Sequence, residues 1–150
     1  RVKALVLAAI GDDYAIARRD LGHRYAAQVA RARALVKAGR GTTIMKAKGC
    51  LGFTARRFLS VADPRQPEAE LFNLEGPLRT FRRITTPTLA VLPAAEEYAC
   101  LPVPEMSARL RAATRARPFD TVLIPEADHG FKGREVETTG VILDWLSRVR

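Results

Sequence analysis

The sequence predicts an α/β fold, with about three parallel strands flanked by helices. Short apolar segments of strand length alternate with longer segments whose apolar residues recur every three or four positions. Short continuous apolar runs are typical of strands buried on both faces of a parallel sheet. The longer segments are typical of amphipathic helices that cover such a sheet. This alternation favours a parallel, three-layered arrangement.

Three segments have the length and composition of buried strands. Residues 2–9 form a nearly continuous apolar run, residues 88–92 stop at Pro93, and residues 119–124 stop at Pro125. A proline cannot donate a hydrogen bond to a sheet ladder, so it is a natural end for a central strand. We expect the three strands to belong to one sheet.

The region between the first two strands is mostly helical in pattern. Residues 14–38 have one apolar face, with Asp13 as the candidate N-cap and Gly39 as the candidate C-cap. Residues 42–59 form a second, less regular helical region that two glycines interrupt. The apolar face of the first helix consists of Leu21, Tyr25, Val29, Ala32, Leu35 and Val36.

Two more helices follow the second and third strands. The first opens at residues 102–104, and the second covers residues 134–149. We therefore predict a core strand in residues 1–11, a helical cap insert in residues 12–83, and two core strands with their helices in residues 84–150. The apolar positions are Met106, Leu110 and Ala113 in the first helix and Val136, Ile142, Trp145, Leu146 and Val149 in the second.

The net charge of +9 is concentrated in the first part of the chain. Residues 1–60 contain 13 Lys and Arg against 3 Asp and Glu, whereas residues 61–150 contain 12 against 13. Such a basic region attracts nucleic acid or anionic substrates. The arginines are scattered through helical segments with little aromatic interleaving, and no nucleic-acid motif accompanies them. We predict a small-molecule substrate as the partner and no nucleic acid.

Cysteine usage and hydropathy indicate the compartment. Cys50 and Cys100 have neither C-x-x-C nor metal-type spacing, and secreted disulfide frameworks use more cysteines than these two. No apolar run approaches the ~20 residues that cross a bilayer. We predict a cytoplasmic protein with no membrane partner, no disulfide and no metal site.

The candidate catalytic residues follow the second and third strands. Glu96 and Glu97 come after the second strand, and His129 comes after the third. Ligands of open parallel sheets bind beyond the carboxyl ends of the strands. An imidazole takes up and returns protons near neutral pH, and a neighbouring carboxylate orients its ring. We predict His129 as the general base and Glu96 as the acid, with Glu97 as the alternative acid and Asp128 shaping the turn.

Four segments resemble parts of the α/β-hydrolases. Residues 84–92, Ile-Thr-Thr-Pro-Thr-Leu-Ala-Val-Leu, resemble the penultimate strand of that family, where a Pro-Thr-Leu entry precedes the acid. Residues 127–131, Ala-Asp-His-Gly-Phe, resemble its catalytic-histidine loop, and residues 142–146, Ile-Leu-Asp-Trp-Leu, its closing helix. Residues 2–7 are similar to the strand after the nucleophile helix. The resemblance covers residues 1–10 and about 84–150, and it implies the C-terminal part of an α/β-hydrolase fold.

The chain departs from the family pattern in three ways. Family members usually have Gly where this chain has Pro93, and Asp is the commoner acid where it has Glu96. The family also keeps its nucleophile in Gly-x-Ser-x-Gly, and none of Ser60, Ser107 and Ser147 has that setting. The resemblance therefore implies a nucleophile upstream of Arg1, so we expect this chain alone to be inactive.

One internal segment is an alternative source of a nucleophile. Residues 48–52, Lys-Gly-Cys-Leu-Gly, are faintly similar to an elbow with Cys50 as nucleophile, but Lys48 stands where a glycine is expected. We interpret Cys50 as a packed small hydrophobe. His23 is expected to be solvated, and two histidines without a shared spacing do not make a metal site.

The function that the resemblance implies is esterase-like acyl hydrolysis by a serine hydrolase, with no cofactor and with the cap over the site. Two alternatives stay open. One is a non-catalytic α/β-hydrolase-like binding or interaction module, and the other is haloalkane dehalogenase or haloperoxidase chemistry on the same fold. An upstream Gly-x-Ser-x-Gly would favour the hydrolase, and an Asp nucleophile would favour dehalogenation. We also expect the first strand to lie at a sheet edge in the isolated chain.

Overall fold

The computed structural model of the protein describes residues 2–46, 50 and 52–149. The chain divides into two compact units. The sheet unit comprises Arg1–Gly11 and Arg79–Arg150, and the helical unit comprises Asp12–Leu78. The elements in chain order are β1 (Leu5–Ala8), α1 (Asp13–Leu21), α2 (Tyr25–Lys37), α3 (Ala55–Ala62), α4 (Pro67–Leu71), β2 (Thr88–Pro93), α5 (Val103–Ala113), β3 (Phe119–Ile124) and α6 (Glu135–Arg148), with single 3₁₀ turns at Gly22–Arg24 and Phe81–Arg83.

The sheet unit contains a three-stranded parallel sheet in the order β1-β2-β3. The central strand β2 is buried along its whole length, as its continuous apolar sequence predicts. The sheet and its helices confirm the α/β class. Strands β2 and β3 end at the same level, because Pro93 lies opposite Ile124 in the parallel register.

Helices α5 and α6 pack on opposite faces of the sheet. Successive side chains of a strand point to opposite faces. Asp120 of β3 accepts a hydrogen bond of 2.8 Å from the indole Nε1 of Trp145 on α6. Its neighbour Thr121 accepts one of 2.9 Å from the Ser107 hydroxyl on α5. The sheet unit is therefore built as three layers, with the sheet in the middle.

The predicted apolar stripe of α6 is correct at Trp145, which is 1% exposed, and wrong at Val136, which is 89% exposed. The buried position near the start of this helix is Thr138. Residues two positions apart on an α-helix are separated by about 200° of rotation about the helix axis. Val136 therefore faces away from the sheet when Thr138 faces it. The other predicted residues of the stripe, Ile142, Leu146 and Val149, pack against the core.

Strand β1 is not buried on both faces, contrary to the interpretation of residues 2–9 as an interior strand. It comprises only Leu5–Ala8, and these residues are half-buried or exposed. The reason is its position, because it pairs with β2 on one side and no described residue pairs with its outer edge. The expectation that this strand lies at a sheet edge is confirmed.

The first predicted helix of the helical unit is in fact two helices. Gly22, with φ of 51°, breaks the segment between α1 and α2. The N-cap is Asp12 and not Asp13, since the Asp12 carboxylate accepts the backbone N–H groups of Ala15 and Leu74, each at 2.9 Å. The C-cap of α2 is Ala38, and Gly39, the predicted C-cap, follows it with φ of 72°.

The second predicted helical region begins later than expected. Ile44 and Thr54 form an isolated antiparallel bridge, and α3 starts only at Ala55, where the Thr54 hydroxyl accepts the Arg57 N–H. Threonine and isoleucine are β-branched, which lowers helix propensity and favours extended backbone. Three residues of the predicted region, 47–49, and residue 51 lie outside the described part of the chain.

The Tyr25 hydroxyl makes the stability of the helical unit decrease at alkaline pH. It donates a hydrogen bond of 2.6 Å to the Ala62 carbonyl, and burial raises the pKa of Tyr25 to about 12. In the unfolded chain the phenol ionises at about 10, so the stability that its neutral form contributes is complete below pH ~10 and falls as the pH approaches ~12. We expect urea midpoints of the wild type to fall across this range, and those of Tyr25→Phe to fall less.

Tyr14→Phe is the intermediate variant for this titration. Its ring lies 6.0 Å from the Tyr25 ring, and the electrostatic interaction with Tyr14 contributes to the raised pKa of Tyr25. The substitution keeps the ring contact and removes that interaction, so its midpoints should fall between those of the wild type and those of Tyr25→Phe. Parallel midpoint curves for the wild type and Tyr25→Phe would show that the Tyr25 phenol does not couple to folding.

Candidate active site

Two loops meet beyond the carboxyl ends of β2 and β3. We name residues 94–102 the acid loop and residues 125–134 the histidine loop. The Ala94 N–H donates to the Ile124 carbonyl at 3.0 Å, and the Ala95 N–H donates to the Ala127 carbonyl at 2.9 Å. Pairing between the two segments therefore continues past the strands themselves. It brings the residues after Ala95 beside the residues after Ala127.

Glu96 and His129 form a hydrogen-bonded pair at this junction. Both carboxylate oxygens of Glu96 lie 2.9 Å from Nδ1 of His129. The Glu96 side chain is 2% exposed, whereas the His129 side chain is 40% exposed. An ionised carboxylate only accepts hydrogen bonds, so Nδ1 must carry the proton. In neutral imidazole this leaves Nε2 with a lone pair, and no group in the described part of the chain hydrogen-bonds Nε2.

The next two residues of the acid loop also act on His129. Oε2 of Glu97 accepts the backbone N–H of His129 at 2.9 Å. The ring of Tyr98 meets the imidazole edge to face, with centroids 4.9 Å apart and planes at 84°. The Tyr98 N–H donates to Oε1 of Glu96 at 3.1 Å, which adds a second restraint on the carboxylate. Of the two carboxylates, Glu97 therefore contacts the main chain of His129, and Glu96 contacts its ring.

The contacts of Glu97 and Tyr98 were not predicted from the sequence. The sequence predicts Glu97 only as an alternative acid. The positions of the strand ends determine which loops meet, but they do not determine which atom of His129 each side chain reaches. The one available signal was the adjacency of Glu97 and Tyr98 to Glu96 in a loop. Loops have no periodicity, so the direction of each side chain is set by the backbone of the turn.

The histidine loop adopts an unusual backbone. Glu126 and Phe131 have φ of 55° and 54°, a left-handed conformation that costs non-glycine residues of order 1 kcal/mol or more. Asp128 shapes the turn, because its Oδ1 accepts the backbone N–H of Lys132 at 2.9 Å. Gly130 does not have a positive φ, so the glycine of this loop is not its left-handed residue. The left-handed residue next to it is Phe131, which is buried.

The three serines make local hydrogen bonds. The Ser107 hydroxyl donates to Thr121, the Ser147 hydroxyl to the Asp144 carbonyl at 2.7 Å, and the Ser60 hydroxyl to the Arg57 carbonyl at 2.8 Å. Ser60 belongs to the helical unit, whereas His129 belongs to the sheet unit. In the described part of the sheet unit, neither Ser107 nor Ser147 hydrogen-bonds to Glu96 or His129.

Cys50 is a buried member of the core of the helical unit. Burial raises the pKa of its thiol, which disfavours the nucleophilic thiolate. This agrees with the interpretation of Cys50 as a packed hydrophobe. Its neighbours Lys48, Gly49 and Leu51 in the elbow-like segment lie outside the described residues. Cys50 and Cys100 are not joined to each other by a disulfide.

The described residues contain neither a cluster of metal-ligating side chains nor a helix that could cross a membrane. Across residues 2–46, 50 and 52–149, no group of three or more His, Cys, Asp and Glu side chains is arranged to hold a metal ion. Among the helices of the same ranges, none has the length and apolar character that crossing a membrane requires.

Compared with protein-family models, with curated proteins and with solved structures, the chain gives no match. The α/β class therefore rests on the observed sheet and helices. The resemblance to α/β-hydrolases stays a prediction.

Proposed function

We propose that this chain carries the general base and the acid of a serine hydrolase of the α/β-hydrolase type, acting on an ester or a related acyl compound. The observation that carries the proposal is the Glu96–His129 pair. The pair lies beyond the carboxyl ends of two neighbouring parallel strands, with the carboxylate buried and the imidazole half-exposed. This is the position at which ligands of parallel α/β sheets bind.

Each partner has a defined part in the proposed reaction. Nε2 of His129 takes the proton of a serine hydroxyl as that oxygen attacks the acyl carbonyl, and then gives the proton to the leaving group. Glu96 keeps the proton of the neutral ring on Nδ1 and stabilises the imidazolium that forms, through a charge-assisted hydrogen bond. The reaction needs no cofactor. The serine is supplied by a segment outside residues 1–150.

Two features of the Glu96–His129 pair support its proposed role in proton transfer. The Glu96 carboxylate is removed from water, where its attraction to a positively charged ring is stronger than in a solvated pair. The Tyr98 N–H holds one of its oxygens, so the carboxylate does not have to be ordered during the reaction. The cytoplasmic location predicted from the cysteines is part of the same proposal.

The test is the intact mass of the native gene product after exposure to a fluorophosphonate probe. A probe-labelled species heavier than the 16.5 kDa of this chain, with labelling lost in His129→Ala, supports the proposal. An unlabelled product overturns it in favour of a binding module. A product labelled equally in His129→Ala also overturns it, because the nucleophile would then be activated without this histidine.

A further inference from the structure

Three consecutive residues of the acid loop act on three different parts of His129. Glu96 binds the ring nitrogen Nδ1, Glu97 binds the backbone N–H, and Tyr98 packs against the ring. The position of a ring nitrogen depends on where the Cα atom lies as well as on the side-chain torsions. Glu96 acts only on the far end of the side chain. The Cα atom needs a separate restraint.

We propose that Glu97 is a positioning residue, which fixes the backbone of His129 so that the imidazole meets Glu96. The importance of this geometry for catalysis rests on the proposed function. The restraint itself is a property of the two loops. The two adjacent carboxylates then have separate tasks. Glu96 holds the ring of His129, and Glu97 holds its main chain.

The histidine loop needs such a restraint because its own backbone is strained. Glu126 and Phe131 both have left-handed φ values, which persist in non-glycine residues only where surrounding contacts impose them. The Ala95 bond to Ala127 supports the loop before the histidine. The Asp128 bond to Lys132 supports it after the histidine. The bond from the Glu97 carboxylate fixes the histidine itself.

A carboxylate suits this position on physical grounds. Its bond to a backbone N–H is charge-assisted, and therefore stronger than a bond between neutral groups. Glu97 is exposed, so its carboxylate stays hydrated. The surrounding water and salt screen the repulsion between Glu97 and the buried Glu96.

The experiment compares Glu97→Ala, Glu97→Gln and the control Glu105→Ala in the protein as its gene encodes it, with ¹⁵N-labelled histidine. Glu105 is an exposed glutamate on α5 that binds Arg109. We expect hydrogen exchange at the His129 amide to be about tenfold faster in Glu97→Ala, and the Nδ1–H signal of the neutral ring to weaken. Glu97→Gln keeps an acceptor oxygen and should fall between Glu97→Ala and the wild type. Glu105→Ala should match the wild type.

Wild-type exchange and an unchanged Nδ1–H signal in Glu97→Ala would overturn the proposal, even if activity fell. If Glu97→Ala does not fold by circular dichroism, Glu97→Gln decides in the same way, because it keeps the size and shape of the side chain. In the active protein we expect Glu97→Ala to lower kcat about tenfold with little change in KM. If the wild type fails to react with the fluorophosphonate, the proposed function fails, while the exchange and ring signals still decide the role of Glu97.

Discussion

Glu96→Gln is expected to lower the turnover of an acyl substrate by about three to four orders of magnitude, with KM close to that of the wild type. Glutamine has nearly the shape of glutamate but no charge. Its amide nitrogen can turn towards Nδ1 of His129 and donate to it, which moves the ring proton to Nε2. The nitrogen that should accept the serine proton is then blocked. The stabilisation of the imidazolium is lost at the same time.

The measurement is kcat and KM of the intact enzyme on an activated ester, alongside ¹⁵N spectra of His129. The Nδ1–H signal should be replaced by an Nε2–H signal in Glu96→Gln. Glu105→Gln changes an exposed glutamate of the same unit and is the matched control, with unchanged kinetics expected. Retention of turnover within about tenfold of wild type by Glu96→Gln would remove Glu96 from the proposed mechanism.

The meeting of Glu96 with His129 could be predicted because it depends on topology. Two short apolar runs that stop at Pro93 and Pro125 define two strands, and neighbouring parallel strands bring their carboxyl ends to one edge of the sheet. The bond from His129 to Glu97 could not be predicted in this way. It depends on the backbone of the two loops, and the left-handed Glu126 belongs to a residue type with no particular tendency to that conformation.

In the helical unit, helical periodicity predicts the apolar face correctly, but it does not predict where the helices begin and end. The apolar face of Leu21, Val29 and Ala32 was predicted correctly, because it follows from helical periodicity. The break at Gly22 lies inside that periodic segment, and one glycine in a helix is commonly tolerated. Asp12, which is the N-cap in place of the predicted Asp13, also accepts the N–H of Leu74, a residue 62 positions away in sequence.

Trp145→Ala is expected to lower the stability of the sheet unit by about 3–5 kcal/mol, the largest effect on folding that we predict. Trp145 is 1% exposed and packs against Leu89, Val91 and Ile124 of the two strands that carry the site. Truncation removes its buried area and leaves a cavity under α6. It also removes the donor for Asp120, a bond of 2.8 Å.

Two further variants separate packing from hydrogen bonding in the Trp145 effect. Trp145→Phe keeps an aromatic ring but loses the indole N–H, so we expect a smaller loss of about 1–3 kcal/mol. Leu143→Ala removes a leucine on the same helix that is 61% exposed, and it should change stability by less than ~1 kcal/mol. Urea unfolding followed by far-UV circular dichroism measures all three. If Trp145→Ala loses no more stability than Leu143→Ala, α6 does not hold the carboxyl ends of β2 and β3 together, and the preorganisation of the Glu96–His129 pair must come from the two loops alone.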